Sequence, residues 1–434
     1  MHKSLLPVRG LMLHFTYFSL IPFSLLSGFE GFGRNTTGGA GGASVTVSNA
    51  ADFATYATSS VPTIINVAGT IVLGNNVAVA SNKTIQGLDS NATINGDLWL
   101  GNAVSNIILR HLNVTNPLGV GDGDGVTIIN GSRNIVVTYC TFTDCADGEL
   151  DITNGSDSVT VSWCRFRYIN QTTHRNVNLV GSSDTRTTDL GYLHVTFHHC
   201  WWDQRCTERM PSVRFGRVHV YNNYYSAVGN NYCVRTRLYA ECRIEDNYFE
   251  NVQNPWEILT TSGTPDGKLH AADNNVAFQD SSDGVSWLSG WYTAPDQTQL
   301  LIDGTDSVFT PPYPYTLDNP LDAKKKVLAS AGNRGLVDGV PGARNEALSF
   351  LLHQNYPNPF NPTTTVRWSI LRPSEVRLTV SDLLGREVAV LVNGRMVPGE
   401  HLTDFDGSGL PSGVYFIKLR TEGSVQIVKS LLLK

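Results

Sequence analysis

Six short lines of this chain share one pattern, and their spacing restricts the fold more than any other feature. The lines are NIILRHLNV (106–114), NIVVTYCTF (134–142), SVTVSWCRF (158–166), HVTFHHCWW (194–202), RVHVYNNYY (217–225) and ECRIEDNYF (241–249). Their ends, at 114, 142, 166, 202, 225 and 249, are 28, 24, 36, 23 and 24 residues apart. A basic period of 23–24 residues with occasional insertions is one coil of a solenoid, each coil adding a strand to the sheets beneath it. Each line alternates β-branched and polar residues before ending in aromatic or Cys residues, as expected when inward side chains stack from coil to coil. A β-sandwich would instead repeat its strands every ~8–12 residues with no common line. The expected fold is all-β, a right-handed parallel β-helix. Composition agrees: 16% charged residues and 40 glycines in 434 suit strands and turns, not helical bundles.

The length leaves room for more than one domain. Lys3 and Arg9 precede an apolar run, Leu11 to Leu26, with no acidic residue, which reads as a signal peptide over residues 1–27 and predicts an exported protein. The run is short for a membrane span and is interrupted by Pro22. Residues 28–324 are expected to form the β-helix, the Gly-rich stretch 28–42 serving as a capping loop, and 325–350 a linker. Residues 351–434 carry strand and turn signals for a small C-terminal β-sandwich. A net charge of −6 excludes a general attraction to nucleic acid or anionic lipid, so any polyanion must meet a local basic patch. A monomer is expected. The seven cysteines, all between 140 and 242, show no CxxC and no zinc spacing. They read as buried small apolar side chains, with one or two bridges allowed.

Chemistry concentrates in two acidic clusters and one basic segment. GDGDGVTI carries Asp122 and Asp124; CADGELDITNGSD, one coil on, carries Asp147, Glu149 and Asp151. Residues two apart in extended chain point the same way, so each cluster can present carboxylates on one face and neighbouring coils can bring the clusters together. Such hard oxygen ligands suit Ca²⁺. Asp-Gly pairs are also ordinary turn residues, so it is the pairing of clusters that points to a cation. CTERMPSVRFG carries Arg209 and Arg214, flanked by Arg205 and Arg217, with Pro211 marking a bend. Guanidinium groups pair bidentately with carboxylates, so a cation site and an arginine cluster in one groove would complement an acidic polysaccharide. The bland alternative for the arginines is a solvated basic edge.

At these residues the sequence resembles the pectate lyases of polysaccharide lyase family 1. The likeness runs over about residues 28–320, through GFEGFGRNTTGGAGG, DGELDITNGSDSVTVSWCRF and, most specifically, HVTFHHCWWDQRCTERMPSVRFGRVHVYNNYY. The resemblance implies calcium-dependent β-elimination of polygalacturonate to 4,5-unsaturated oligogalacturonides. It assigns Asp122, Asp124, Asp147 and Asp151 as calcium ligands, Arg209 as the residue that takes the C5 proton, and Arg214 as a contact to a substrate carboxylate. The family's substrate-binding Lys is missing: the region reads QTTHRNVNLVG, which leaves His174 or Arg175 for that role. An arginine base sits uneasily with a guanidinium pKa above about 12, so that assignment rests on the resemblance.

The tail segments NYPNPFNPTTTVRW, VRLTVSDLLGREV, LPSGVYFIKL and VKSLLLK resemble the C-terminal sorting domain of the type IX secretion system, which implies the secretion machinery at the outer membrane as a partner and a secreted or cell-surface location. The tail's alternative is a carbohydrate-binding sandwich. Two other functions stay open at the sequence level. A glycoside hydrolase on the same solenoid would need a carboxyl pair, which Asp147 and Asp151 could imitate. A non-catalytic surface adhesin would have no need of the Arg209 segment.

Overall fold

The computed structural model describes residues 28–171, 173–281, 284–289, 304–335, 350–352, 355, 357–370, 373–383, 385–397, 399–421 and 424–434. The expected signal peptide, residues 1–27, lies outside them, as does most of the expected linker.

The first unit is a parallel β-solenoid of right-handed type with about ten coils and three sheets. The first sheet has ten parallel strands, from Ala43–Val47 to Lys268–Asp273; the second has eight, from Val77–Ala78 to Trp256–Ile258. The third has nine parallel strands, from Thr70–Val72 to Val276–Ser281, and an antiparallel tenth, Gly284–Ser289. Register in the first sheet pairs Ile107 with Ile135, Ile135 with Val159, Val159 with Val195 and Val195 with Val218, steps that match the line spacings. These side chains are all fully buried.

Repetition extends to the aromatic residues and the bends. Phe142, Phe166, Trp202, Tyr225 and Phe249 stack face to face along the interior, centroids 4.5–5.5 Å apart. Each such contact contributes about 0.5–1.5 kcal/mol beyond area burial. Between the first and third sheets each coil turns on one left-handed residue: His111, Tyr139, Trp163, His199, Asn222, Asp246 and Asn274 have φ between 51° and 54°. One position after these comes a column of Cys140, Cys164 and Cys200, continued by Asn223, Asn247 and Asn275. Asn247 Oδ1 accepts from Asn223 Nδ2 at 3.0 Å, and Asn275 Oδ1 from Asn247 Nδ2 at 3.0 Å. All seven cysteines are buried free thiols, so the bridges allowed by the sequence do not form. Burial removes them from water and the column serves packing instead.

Two other expectations need correcting. The Gly-rich segment does not cap the solenoid end but runs over the first sheet, where Gly33 N donates to Thr160 Oγ1 (2.8 Å) and Gly39 N to Thr84 Oγ1 (3.0 Å). A Cβ on Gly39 would come within 2.1 Å of Thr63 O, so only glycine permits the approach. The end is covered by the helix Ala50–Thr58, N-capped by Asn49, which buries Phe53 and Ala57. The domain edge expected at Lys324 falls inside a second helix, Pro320–Ser330. Its Val327, with Ala331, packs on Tyr224 and Tyr248 of the third sheet, and the compact unit runs to Val337.

The second unit, from Asp338, holds two antiparallel sheets. Three strands, Phe350–Leu352, Thr363–Ile370 and Gly399–Asp406, form one; Glu387–Met396, Ser374–Ser381, Gly413–Thr421 and Ser424–Leu432 form the other. Val366 and Trp368 of one sheet share a core with Leu378, Val380, Ile417 and Leu419 of the other, the small β-sandwich expected. Phe360, Trp368 and Tyr415 are buried within it, which removes them from any sugar-binding platform.

Candidate active site

The second sheet carries the acidic clusters. Its outward column includes Trp99, Thr127 and Asp151 in direct register, because inward places are taken by Leu98, Val126, Leu150 and their neighbours. Asp124 lies just ahead of the strand Val126–Ile128, and its Oδ1 accepts from Gly148 N at 2.8 Å on the next coil. A Cβ on Gly148 would stand 2.4 Å from Asp151 Oδ1 and 2.9 Å from Asp124 Oδ1. The two clusters therefore meet laterally through Asp124 and Asp151, and glycine at 148 leaves the space between them.

Neither carboxyl ionises easily there. Burial, then the charge of Asp151, pushes Asp124 up to about 9. Burial pushes Asp151 up to about 7, opposed by Leu179 N, which donates to its Oδ1 at 2.9 Å, and by the nearby Arg209 guanidinium. Two buried carboxyls that repel one another, with a gap between them, form a donor set suited to a hard divalent cation. Among the described residues no group of three or more His, Cys, Asp or Glu is gathered closely enough to hold a metal alone.

Within each cluster the extended-chain argument fails. Asp122 is exposed and faces Asp97, whose Oδ2 accepts from Asp122 N at 3.4 Å. The cause is Gly121 and Gly123, at φ +67° and +92°, which turn the chain between the two acids. Glu149 points inward, is fully buried, and is held well above the usual carboxylate range by burial first and then by the charge of Asp144. Asp147 stays half-exposed with His174 Nε2 2.7 Å from its Oδ1.

Arg209 adopts φ +62°, a left-handed conformation that costs a side-chain-bearing residue energy and is retained where neighbours enforce it. Here Asn178 N donates to its carbonyl at 2.7 Å, and Asn178 is itself fixed by Trp202 Nε1 (2.9 Å). The side chain keeps 25% of its surface exposed, with Glu208 Oε1 4.0 Å from Nε. Arg214 is more enclosed: its Nε donates to Asp184 and its Nη1 to Gly181 O (2.9 Å), and Asp184 also takes Arg237 Nη2 at 3.0 Å. Arg175 has no side-chain ion pair among the described residues, and its carbonyl accepts from Thr207 N at 2.9 Å, one coil on. Arg205 donates to Ile169 O, and Arg217 sits 3.6 Å from Glu241.

Two acids escaped the sequence reading. Asp97 is buried, shares Thr127 Oγ1 with Asp124 at 3.2 Å each, and is pushed up to about 7 by burial. Asp184 organises Arg214. Neither stands in a motif of its own. Asp97 could be found only by register, one coil before Asp124.

Fold and site together define a solenoid with an acid-and-arginine groove. Residues 8–332 match the pectate lyase family and residues 354–434 the secretion system C-terminal sorting domain. The chain belongs to the pectate lyase family. A pectate trisaccharide-lyase of Bacillus licheniformis is 30% identical over 332 residues, covering 72% of this chain and 87% of its own. A probable pectate lyase B of Aspergillus flavus is 37% identical over 225 residues; the match takes in 50% of this chain and 66% of the relative. Among solved structures, a pectate lyase from Bacillus sp. N165 in complex with trigalacturonate superposes with TM-score 0.58 at 23% identity, covering 71% of this chain and 99% of that one. One from Paenibacillus sp. 0602 gives 0.59 at 17%, covering 71% and 96%. At such identity the structures speak for the fold.

Proposed function

We propose that this protein is a secreted or cell-surface pectate lyase that cleaves polygalacturonate by calcium-dependent β-elimination. The observation that carries it is the meeting of Asp124 and Asp151 across Gly148, with Arg209 close enough to act on Asp151. Asp124, Asp147 and Asp151 are the residues that would hold Ca²⁺; Asp122 faces Asp97 and is the weakest candidate of the four expected. A bound Ca²⁺ would neutralise these acids and draw electron density from a uronate carboxylate. Since the described residues gather no closed set of three or more such ligands, substrate carboxylates are their natural complement.

The residues divide the remaining work. In the elimination the proton leaves C5, its electron pair forms the C4–C5 double bond, the C4–O bond breaks, and the departing oxygen takes up a proton. Arg209 is assigned the C5 proton: its guanidinium is partly exposed and its charge is felt at Asp151. Arg214, braced by Asp184 and Gly181, would hold a substrate carboxylate with the donors left free. Arg175 takes the place of the family's Lys more readily than His174, which is engaged by Asp147. The sorting domain at 354–434 supports export through secretion machinery at the outer membrane.

Incubation with polygalacturonate and calcium, followed by ultraviolet absorbance of the unsaturated product, tests the reading. Reducing ends released without that absorbance would mean hydrolysis, and full activity in excess EGTA would remove calcium.

A further inference from the structure

The third sheet carries a recess of about 620 Å³ that the lyase reading leaves unused. Its floor is a column of outward side chains on successive coils, Thr93, Asn113, Thr141 and Arg165. Beside it, Thr143 pairs in register with Arg167, and the segment after the second helix adds Arg334. The acid groove belongs to the second sheet, so the recess is a separate place on the solenoid.

Three guanidinium groups converge here, and among the described residues only Arg165 makes an ion pair, although the charges of Asp203, Glu149 and Asp144 also favour the Arg167 cation. Arg165 pairs with Asp203 and lies over the Trp201 ring, 3.9 Å from its centroid. Arg167 reaches only Thr143 Oγ1, at 3.4 Å, and Arg334 donates to Leu328 O at 3.0 Å; neither has an ion pair among the described residues. The lining acid, Asp144, is tied to the recess wall, its Oδ1 accepting from the backbone of Ile169 (2.7 Å), Asn170 (3.0 Å) and Gln171 (3.1 Å), and its charge partly offsets that of Arg167. Burial first, then the charge of Arg165, lowers the proton affinity of both Arg167 and Arg334. Like charges gathered over hydroxyl and amide groups await an anion that also carries hydroxyls. A neutral glycan would leave the guanidiniums uncompensated. A polyphosphate would carry no hydroxyls to meet the Thr and Asn floor.

We propose that this recess binds a uronate-bearing oligosaccharide, a second and non-cleaving site for a stretch of the polymer or its products. The choice of uronate rests on the lyase reading. Carboxylates would pair with Arg167 and Arg334, and sugar hydroxyls with the Thr and Asn floor. Such a site would keep the enzyme on polymer between cuts.

The test is isothermal titration of the full chain in EGTA with trigalacturonate, galactotriose and sulfate, on wild type, Arg167→Gln and Arg334→Ala. Trigalacturonate should bind wild type and lose roughly tenfold or more in affinity in either variant, the scale of a charge-assisted pair. Turnover of short substrate, measured separately with calcium, should stay unchanged. Should Arg167→Gln misfold, Arg334→Ala, on the exposed end of its segment, decides alone. Equal trigalacturonate affinity in wild type and Arg334→Ala overturns the proposal. So does sulfate binding as tightly as trigalacturonate, which would make this an adventitious anion site. Arginine-dependent binding without lyase activity would sink the lyase reading and leave the recess standing.

Discussion

Alanine at position 148 is the most direct probe of the acid pair. Gly148 does not adopt a left-handed φ, so its backbone accepts a side chain and the perturbation is confined to what the new methyl meets. That methyl would fall 2.4 Å from Asp151 Oδ1, 2.7 Å from its Cγ and 2.9 Å from Asp124 Oδ1. Ordinary contact begins at 3.4 Å, so the Asp151 oxygen must retreat by about 1.0 Å (3.4 − 2.4). Metal–ligand distances tolerate only about 0.2 Å. A displacement of that size should cost on the order of 10–100-fold in calcium affinity, as loss of a ligand-orienting group does, or about 1.4–2.7 kcal/mol. The assay is initial rate of unsaturated product against buffered free calcium, with melting temperature in EGTA as the control for folding. Gly74→Ala, where nothing lies within 4 Å, is the matched control and should behave as wild type. An unchanged calcium requirement in folded Gly148→Ala would refute the claim that Asp124 and Asp151 jointly hold the ion.

Arg209→Lys keeps the charge but loses the planar fork, and should lower kcat by roughly 100-fold or more in steady-state kinetics at saturating calcium; near-native turnover would end its role as base. Arg214→Lys should act mainly on KM, because the carboxylate it holds is bound before and during the reaction. A chain ending at residue 337 should retain lyase activity and melt as one unit, since the solenoid core contains no residue of the tail; loss of activity would make the tail part of the enzyme. Asp318 is held down at about 2, first by His199 Nε2 at 2.9 Å and also by Lys326. A depressed carboxyl stabilises above its unfolded value of ~3.9 and loses that contribution as pH falls toward about 2. Allowing for the exposed Lys326, this is on the order of 1–2 kcal/mol. The melting-temperature gap between wild type and Asp318→Asn should be present at pH 7 and shrink below pH ~4; a gap constant down to pH 3 would contradict the pairing.

The solenoid was legible because inward positions cannot vary independently. Val159 must meet Ile135 on one side and Val195 on the other, and that requirement writes the same line into each coil. The early coils were harder to see: Thr63–Val67 and Lys83–Gly87 pair in the same sheet but lack the aromatic endings. In the site, the meeting of Asp124 and Asp151 could be read because neighbouring coils bring the two clusters together, Asp151 in register with Thr127 and Asp124 just ahead of that strand. Asp122 and Glu149 were misplaced because left-handed glycines and an inward turn break the two-residue alternation on which the reading depended. Asp97, Asp184 and the arginine recess depend on which coil lies above which, and no local pattern announces that.

The bend column has a consequence for how such a chain can change. Between Val159 and Val195 the coil takes 36 residues, against 24 between Ile135 and Val159, yet Cys164 and Cys200 still follow one another in the column. The loops on either side of Leu179–Val180 take up the additional length and supply His174, Arg175 and Asp184. Because the repeat constrains only the few residues that reach the bends and the interior, loop length is free to drift at one edge while packing is inherited intact. New substrate contacts can therefore be tried in this architecture without renegotiating its stability.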